Sequence, residues 1–165
     1  MKYVILVGML LLLSLQIGLC QQEYLTVDEI IGGYGFAIER HDVTTEDGYI
    51  LSLWRLTRPD QSEEPTSRPI VLISHSILYA GEHYLMHGPD LSPAIYFYNL
   101  GYDVFLNNLR GSTYSRRHQT LNPDTDREFW AINYSSYEID QRANIQYILD
   151  LTEQEQLFVV AHALG

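Results

Sequence analysis

The reading turns on Leu157-Phe158-Val159-Val160-Ala161-His162-Ala163-Leu164-Gly165, a short apolar run that passes into a turn of small residues. Four consecutive apolar residues followed by small-x-X-x-small predict a strand that enters a tight strand-to-helix turn. Small flanking residues are needed there because the chain leaving the turn crosses close to the strand end. Ala161 and Gly165 meet that need. In the G-x-S-x-G form of this turn the central residue presents a nucleophilic hydroxyl. Here the centre is Ala163, which has none.

Working back from this strand, Pro69-Ile70-Val71-Leu72-Ile73-Ser74 is a continuous apolar run of strand length, the pattern of a strand buried on both faces of a parallel sheet. Tyr102 to Leu106 predicts a second such strand. Between them Asp90 is expected to cap a helix over Leu91 to Leu100, with Pro93 in its first turn and Gly101 at its end. Phe36 to Val43 and Gly48 to Leu56 read as two strands joined through Thr45-Glu46-Asp47-Gly48, whose Asp-Gly pair is a hairpin signal. A short helix over Thr26 to Ile31 precedes them. Ser135-x-x-Glu138 reads as a capping box, with Ile145, Ile148 and Leu149 spaced along one helical face to about Leu151. The order hairpin, strand, helix, strand, helix, strand predicts an α/β fold with a largely parallel sheet. Thr57 to Pro69, with three Pro and two Ser, is expected to be an exposed loop. Leu109 to Asn133 is a long loop wrapping the core.

Composition narrows the class. The chain has 165 residues, 46% hydrophobic and 19% charged, which suits one globular domain. A net charge of −11 excludes a nucleic-acid partner, since phosphates are met by Lys and Arg. Met1-Lys2, the apolar stretch from Tyr3 to Leu15 and the small-x-small end Gly18-Leu19-Cys20 read as a signal peptide over 1–20, leaving a domain over 21–165. Ser14 and Gln16 interrupt the run short of the roughly 20 residues of a stable membrane span. The only cysteine, Cys20, lies at the end of that segment, so no disulfide is expected in the mature chain. Asn133-Tyr134-Ser135 is a glycosylation acceptor pattern. His83-x-x-x-His87 has no third ligand spaced with it and Gly88-Pro89 interrupts the helix, so no metal site is expected. Arg110, Arg116 and Arg117 are expected on a solvated or ion-paired face. Asp103, Asp140 and the six His are expected as surface or loop residues.

One series of landmarks goes further. Thr45-Glu46-Asp47-Gly48-Tyr49-Ile50-Leu51, His75-Ser76-Ile77-Leu78, His87-Gly88-Pro89-Asp90, Gly101-Tyr102-Asp103-Val104, Asn108-Leu109-Arg110-Gly111-Ser112-Thr113-Tyr114-Ser115, Glu128-Phe129-Trp130 and Glu155-Gln156-Leu157 resemble, in order and spacing, the acid lipases. This is the secreted and lysosomal family of gastric and lysosomal acid lipases and their insect relatives. The resemblance implies the amino-terminal half of an α/β-hydrolase fold and a family reaction of carboxylic ester hydrolysis on neutral lipids or fatty-acyl esters. It also implies a secreted or lysosomal location, and no metal or cofactor. The sequence carries no signal for an oligomeric state.

Matched to the family's pattern, the nucleophile falls on Ala163. The elbow falls on Ala161, His162, Ala163, Leu164 and Gly165, and the oxyanion-hole donors on the backbone N–H groups of Ile77 and Leu164. Three residues depart from the pattern: Ser is Ala163, Gln is Leu164, and a Gly of the oxyanion loop is Ser76, where an unusual φ is expected. The family's triad Asp and His, its cap and its later strands fall beyond Gly165. The chain is therefore expected to be catalytically inactive. A non-catalytic secreted protein that binds lipid or a partner on this scaffold is the alternative. A chain of these residues alone would leave Leu157 to Val160 as an apolar edge, so it is expected to be poorly stable and prone to aggregate. A soluble monomer that unfolds cooperatively would refute that.

Overall fold

The computed structural model describes residues 24–59, 67–163 and 165. The signal segment over 1–20, most of the Pro-rich loop and Leu164 lie outside the described residues.

Alternating and continuous apolar patterns give the expected sheet. Strands β1 (Ala37–Thr44) and β2 (Tyr49–Thr57) form an antiparallel hairpin, with Val43 opposite Leu51 and Glu39 opposite Arg55. Gly48 turns the chain at a φ of +92°, a conformation Gly adopts without a Cβ clash. Strand β3 (Ile70–Ser74) is buried at every residue, as its unbroken apolar run predicts. β4 (Asp103–Leu106) runs parallel to β3 and antiparallel to β2. A two-residue strand, β5 (Arg117–His118), pairs with β2, and β6 (Phe158–Ala161) runs parallel to β3. The order is β1-β2-β4-β3-β6, with β5 off this path. β6 stands at the edge of the described sheet, and its residues Phe158, Val159 and Val160 are exposed on both faces.

Helices cover the two faces. Helix α1 (Val27–Gly33) is capped by a reciprocal pair between Thr26 and Glu29. With α2 (Pro93–Asn99) it packs on a core of Ile31, Trp54, Val71, Ile73, Ile95 and Leu106. On the opposite face α3 (Tyr134–Thr152) and the short 3₁₀ turn Arg127–Trp130 cover Leu51, Leu53, Leu72, Phe105 and Phe129. No helix among the described residues is long and apolar enough to cross a membrane.

Two helix starts differ from expectation. Ser92, not Asp90, is the N-cap residue of α2, and Pro93 is its first residue, where the missing N–H costs nothing. The Ser92 hydroxyl is drawn inward to donate to Leu85 O at 2.6 Å. Helix α3 is capped by Asn133 with Ser136, two residues before the Ser135–Glu138 box. Its buried stripe is also mostly polar: Ser136, Asp140 and Asn144 at four-residue spacing, then Ile148. Ile145 and Leu149 only flank that stripe.

Candidate active site

Because β3 and β6 are parallel neighbours, their carboxyl ends lie side by side, and this assembles the site. Beyond β6, His162 N–H still donates to Ser74 O at 3.1 Å, and the chain then reverses with Gly165 N–H donating to His162 O at 3.1 Å. The tip of this turn is Ala163, held at a φ of +54°. A non-Gly residue in that region is strained by about 1–3 kcal/mol, and such strain collects at functional sites. Gly165 follows because nothing larger fits: a Cβ there would lie 2.6 Å from Ser74 O and 2.7 Å from Ser74 Oγ. The small residues of the motif thus have a direct steric cause, and Ala163 occupies the nucleophile's place with a methyl group.

The loop after β3 supplies the facing wall. Ile77 is half exposed, and among the described residues no acceptor meets its N–H. The loop does carry an unusual φ, but at Leu78 (+69°) and not at Ser76. Leu78 is 96% exposed, so the strained residue projects its side chain into solvent. The second expected oxyanion donor, Leu164, lies outside the described residues.

What holds this loop was not legible as a motif. His75 is buried, not a surface residue as expected. Its Nε2 accepts from Leu109 N–H at 3.0 Å, so the proton sits on Nδ1, which donates to Ser76 O at 2.7 Å. Burial pushes the His75 imidazole below its ordinary range, and both nitrogens are engaged in holding backbone. Asn107 Nδ2 donates to Ser74 Oγ at 2.7 Å, and Gln141 of α3 donates to the same hydroxyl. Asn108 bridges Gly81 N–H and Ser52 O. Two amides after β4 and one on α3 therefore fix the floor beneath the elbow.

The acidic residues are likewise structural and buried, against the surface reading. Asp103 holds Arg55 through two hydrogen bonds of 2.9 and 2.7 Å. Asp140 takes Arg110 N–H at 2.9 Å and Arg110 Nε at 2.8 Å, while Asp47 takes both Nη atoms of Arg110 at 2.5 and 2.9 Å. Burial alone would lower the Arg110 pKa, but the two carboxylates outweigh it and hold it above its ordinary value. The ion-paired reading of the Arg cluster is borne out, since Arg116 and Arg117 bind Asp124 and Asp42. His83 and His87 stack at 5.1 Å, and no group of three metal-ligating side chains occurs among the described residues. Asn133 is exposed at the start of α3, with its Oδ1 accepting from Ser136 N–H at 3.2 Å.

Beside the oxyanion loop is a cleft of ≈ 380 Å³, walled by Ile77, Leu109, Gly111, Trp130, Ile132 and Tyr137. That volume lies within the usual range for a small-molecule site. Its wall is apolar and aromatic, and one end is the loop that carries the Ile77 N–H.

Comparison with known proteins agrees with this geometry. Residues 27–88 match the family model described as a partial alpha/beta-hydrolase lipase region. Human lipase member M is 36% identical over 146 residues, covering 87% of this chain and 34% of that protein. Human lysosomal acid lipase/cholesteryl ester hydrolase is 38% identical over 144 residues, covering 86% of this chain and 36% of that protein. The chain thus spans about a third of the length of the curated relatives it matches. Among solved structures, the Pyrococcus furiosus esterase Pf2001 superposes with a TM-score of 0.54 at 19% identity, over 87% of this chain and 47% of that one, a likeness of fold. With the landmarks from Thr45 to Leu157 in order, the sheet order that sets β3 beside β6, and these lipases as relatives, the chain belongs to the acid lipase family of α/β-hydrolases.

Proposed function

We propose that this chain carries the acid-lipase scaffold in a non-hydrolytic form that holds a neutral lipid or fatty-acyl ester without cleaving it. The observation that carries the reading is Ala163 at the strained tip of the elbow. The family's reaction, hydrolysis of a carboxylic ester, begins with attack on the carbonyl carbon, and a methyl group offers no attacking atom. The acids and imidazole nearest the elbow are engaged elsewhere: Asp103 and Asp140 in ion pairs, His75 in two backbone contacts. What remains suited to a ligand is the Ile77 N–H, which can meet a carbonyl oxygen, and the apolar cleft beside it. Entry to the secretory route through a cleaved leader over 1–20, a secreted or lysosomal destination and a glycan on Asn133 complete the proposal. An N-linked glycan attaches at Nδ2, which leaves the capping Oδ1 in place.

Trp130 reports on this directly, because it is 44% exposed on the cleft wall whereas Trp54 is fully buried and remote from solvent. Titration with a monomeric fatty-acyl ester is expected to give a saturable change in Trp130 emission, with the ester recovered intact. Emission that stays constant to the solubility limit, or an identical response in Trp130→Phe, contradicts ligand binding at the cleft.

A further inference from the structure

Away from the elbow, a chain of titratable groups runs across the sheet face beneath α3. Tyr147 of α3 stands with its hydroxyl 3.1 Å from His41 Nδ1. On the other side of the imidazole, Nε2 is 3.3 Å from Glu39 Oε1, off the line of a hydrogen bond. The His41 side chain is only 10% exposed, packed between the Phe105 and Tyr147 rings at 6.4 and 5.6 Å. Glu39 faces Arg55 across the hairpin, with Arg55 Nη1 at 3.6 Å, and Arg55 is held in turn by Asp103 of β4. The neighbouring charges of β1 are committed elsewhere, Arg40 to Asp28 and Asp42 to Arg117. The groups facing His41 are therefore Glu39 from β1, Arg55 from β2, Asp103 from β4 and Tyr147 from α3.

We propose that His41 is an acid-sensitive latch between β1 and α3: uncharged, it ties the carboxyl half of the helix to the sheet through Tyr147, and protonated, it releases that tie. The hydrogen-bond logic is simple. The Glu39 carboxylate draws the single imidazole proton to Nε2, so Nδ1 is the acceptor for the Tyr147 O–H. A second proton would occupy Nδ1 and face that O–H, donor against donor, and the tyrosine would have to turn its hydrogen away. It would also place a cation in a site closed to water. Burial accordingly pushes the His41 imidazole below its ordinary range, with Arg55 acting in the same direction and Glu39 and Asp103 opposing. The sign for stability follows: the unfolded imidazole takes its proton near pH 6.5, before the folded one does. The tie is thus fully present above that pH and is lost progressively as pH falls below it. Helix α3 also carries Asp140 and Gln141, which brace Arg110 and Ser74, so loosening it reaches the floor of the site. The latch itself does not rest on the lipase reading.

An NMR titration of the His41 imidazole in the full chain tests this, read together with two variants that act in opposite directions. The native midpoint is expected below 6.5. Tyr147→Phe removes the donor that favours an unprotonated Nδ1, and is expected to move the midpoint up. Glu39→Gln removes the nearest anion, and is expected to move it down. Backbone hydrogen exchange over residues 143–151, corrected for its intrinsic pH dependence, is expected to lose protection between pH 7 and 5 in the native chain but not in His41→Gln. A native midpoint at or above 6.5, variants that shift together or not at all, or equal acid-induced loss of protection in His41→Gln overturns the proposal.

Discussion

Arg110→Met is expected to destabilise the chain by about 3–5 kcal/mol, read as a fall in the denaturant midpoint at pH 7. Arg110 and Asp140 are both nearly sealed from water, with side-chain exposures of 2% and 0%. The guanidinium satisfies Asp140 from helix α3 and Asp47 from the hairpin turn, and its plane lies 4.0 Å from the centre of the Tyr49 ring. Methionine fills much of the same volume but leaves the Asp140 carboxylate buried without its cation, and that uncompensated charge is the main cost. Asp140 should then take up a proton well above the usual carboxylate range. A raised folded pKa favours the folded state at low pH and disfavours it as pH rises, so the loss in Arg110→Met is expected to be smaller at pH 5 than at pH 7. Adding Asp140→Leu should recover part of the loss, because the stranded charge is then removed. A variant as stable as the native chain at pH 7 contradicts this account of the contact that joins the hairpin, the loop after β4 and α3.

The second large effect is expected at Trp54. Its indole is fully buried within the α1 and α2 face of the sheet, and Nε1 donates to Ser52 Oγ at 2.9 Å. The Tyr114 ring meets it edge-on at 4.5 Å and Arg40 stacks at 5.1 Å. Trp54→Ala removes the largest of the fully buried side chains and is expected to cost about 3–5 kcal/mol. Domains of this size commonly have about 5–15 kcal/mol in all, so the loss is a large share of what holds the fold. Trp54→Phe should cost clearly less, because more of the volume is retained. Equal stability of the Ala variant and the native chain, measured by denaturant unfolding with an unchanged slope, would count against this core.

The parts of the fold that were legible in the sequence are those fixed by local physics. An unbroken apolar run gave β3, and a two-residue Asp-Gly turn gave the β1–β2 hairpin. The elbow was legible only through its landmarks, since its strand and small residues alone are a common pattern. The supports of the site were not legible, because they are long-range. His75 is a lone histidine until Leu109 N–H is found 34 residues away, and Asp140 is a helix carboxylate until Arg110 reaches it. The α3 start was misplaced because Ser135 and Glu138 satisfy the capping pattern in sequence while Asn133 has the extended backbone that a cap requires. The same helix hides its buried face behind Ser136, Asp140 and Asn144, which no apolar periodicity marks. A Gly-to-Ser change pointed to strain at Ser76, yet the strained φ lies two residues on at Leu78, where the exposed side chain meets no neighbour that would forbid it.

The most direct test of the account is hydrolysis of a fluorogenic fatty-acyl ester by the native chain and by Ala163→Ser, each against an unrelated secreted protein prepared in the same way. Both are expected at the background rate: the native chain lacks the attacking atom, and the variant gains a hydroxyl that no base among these residues activates. Turnover above background by the native chain would contradict the claim that the elbow at Ala163 is chemically silent.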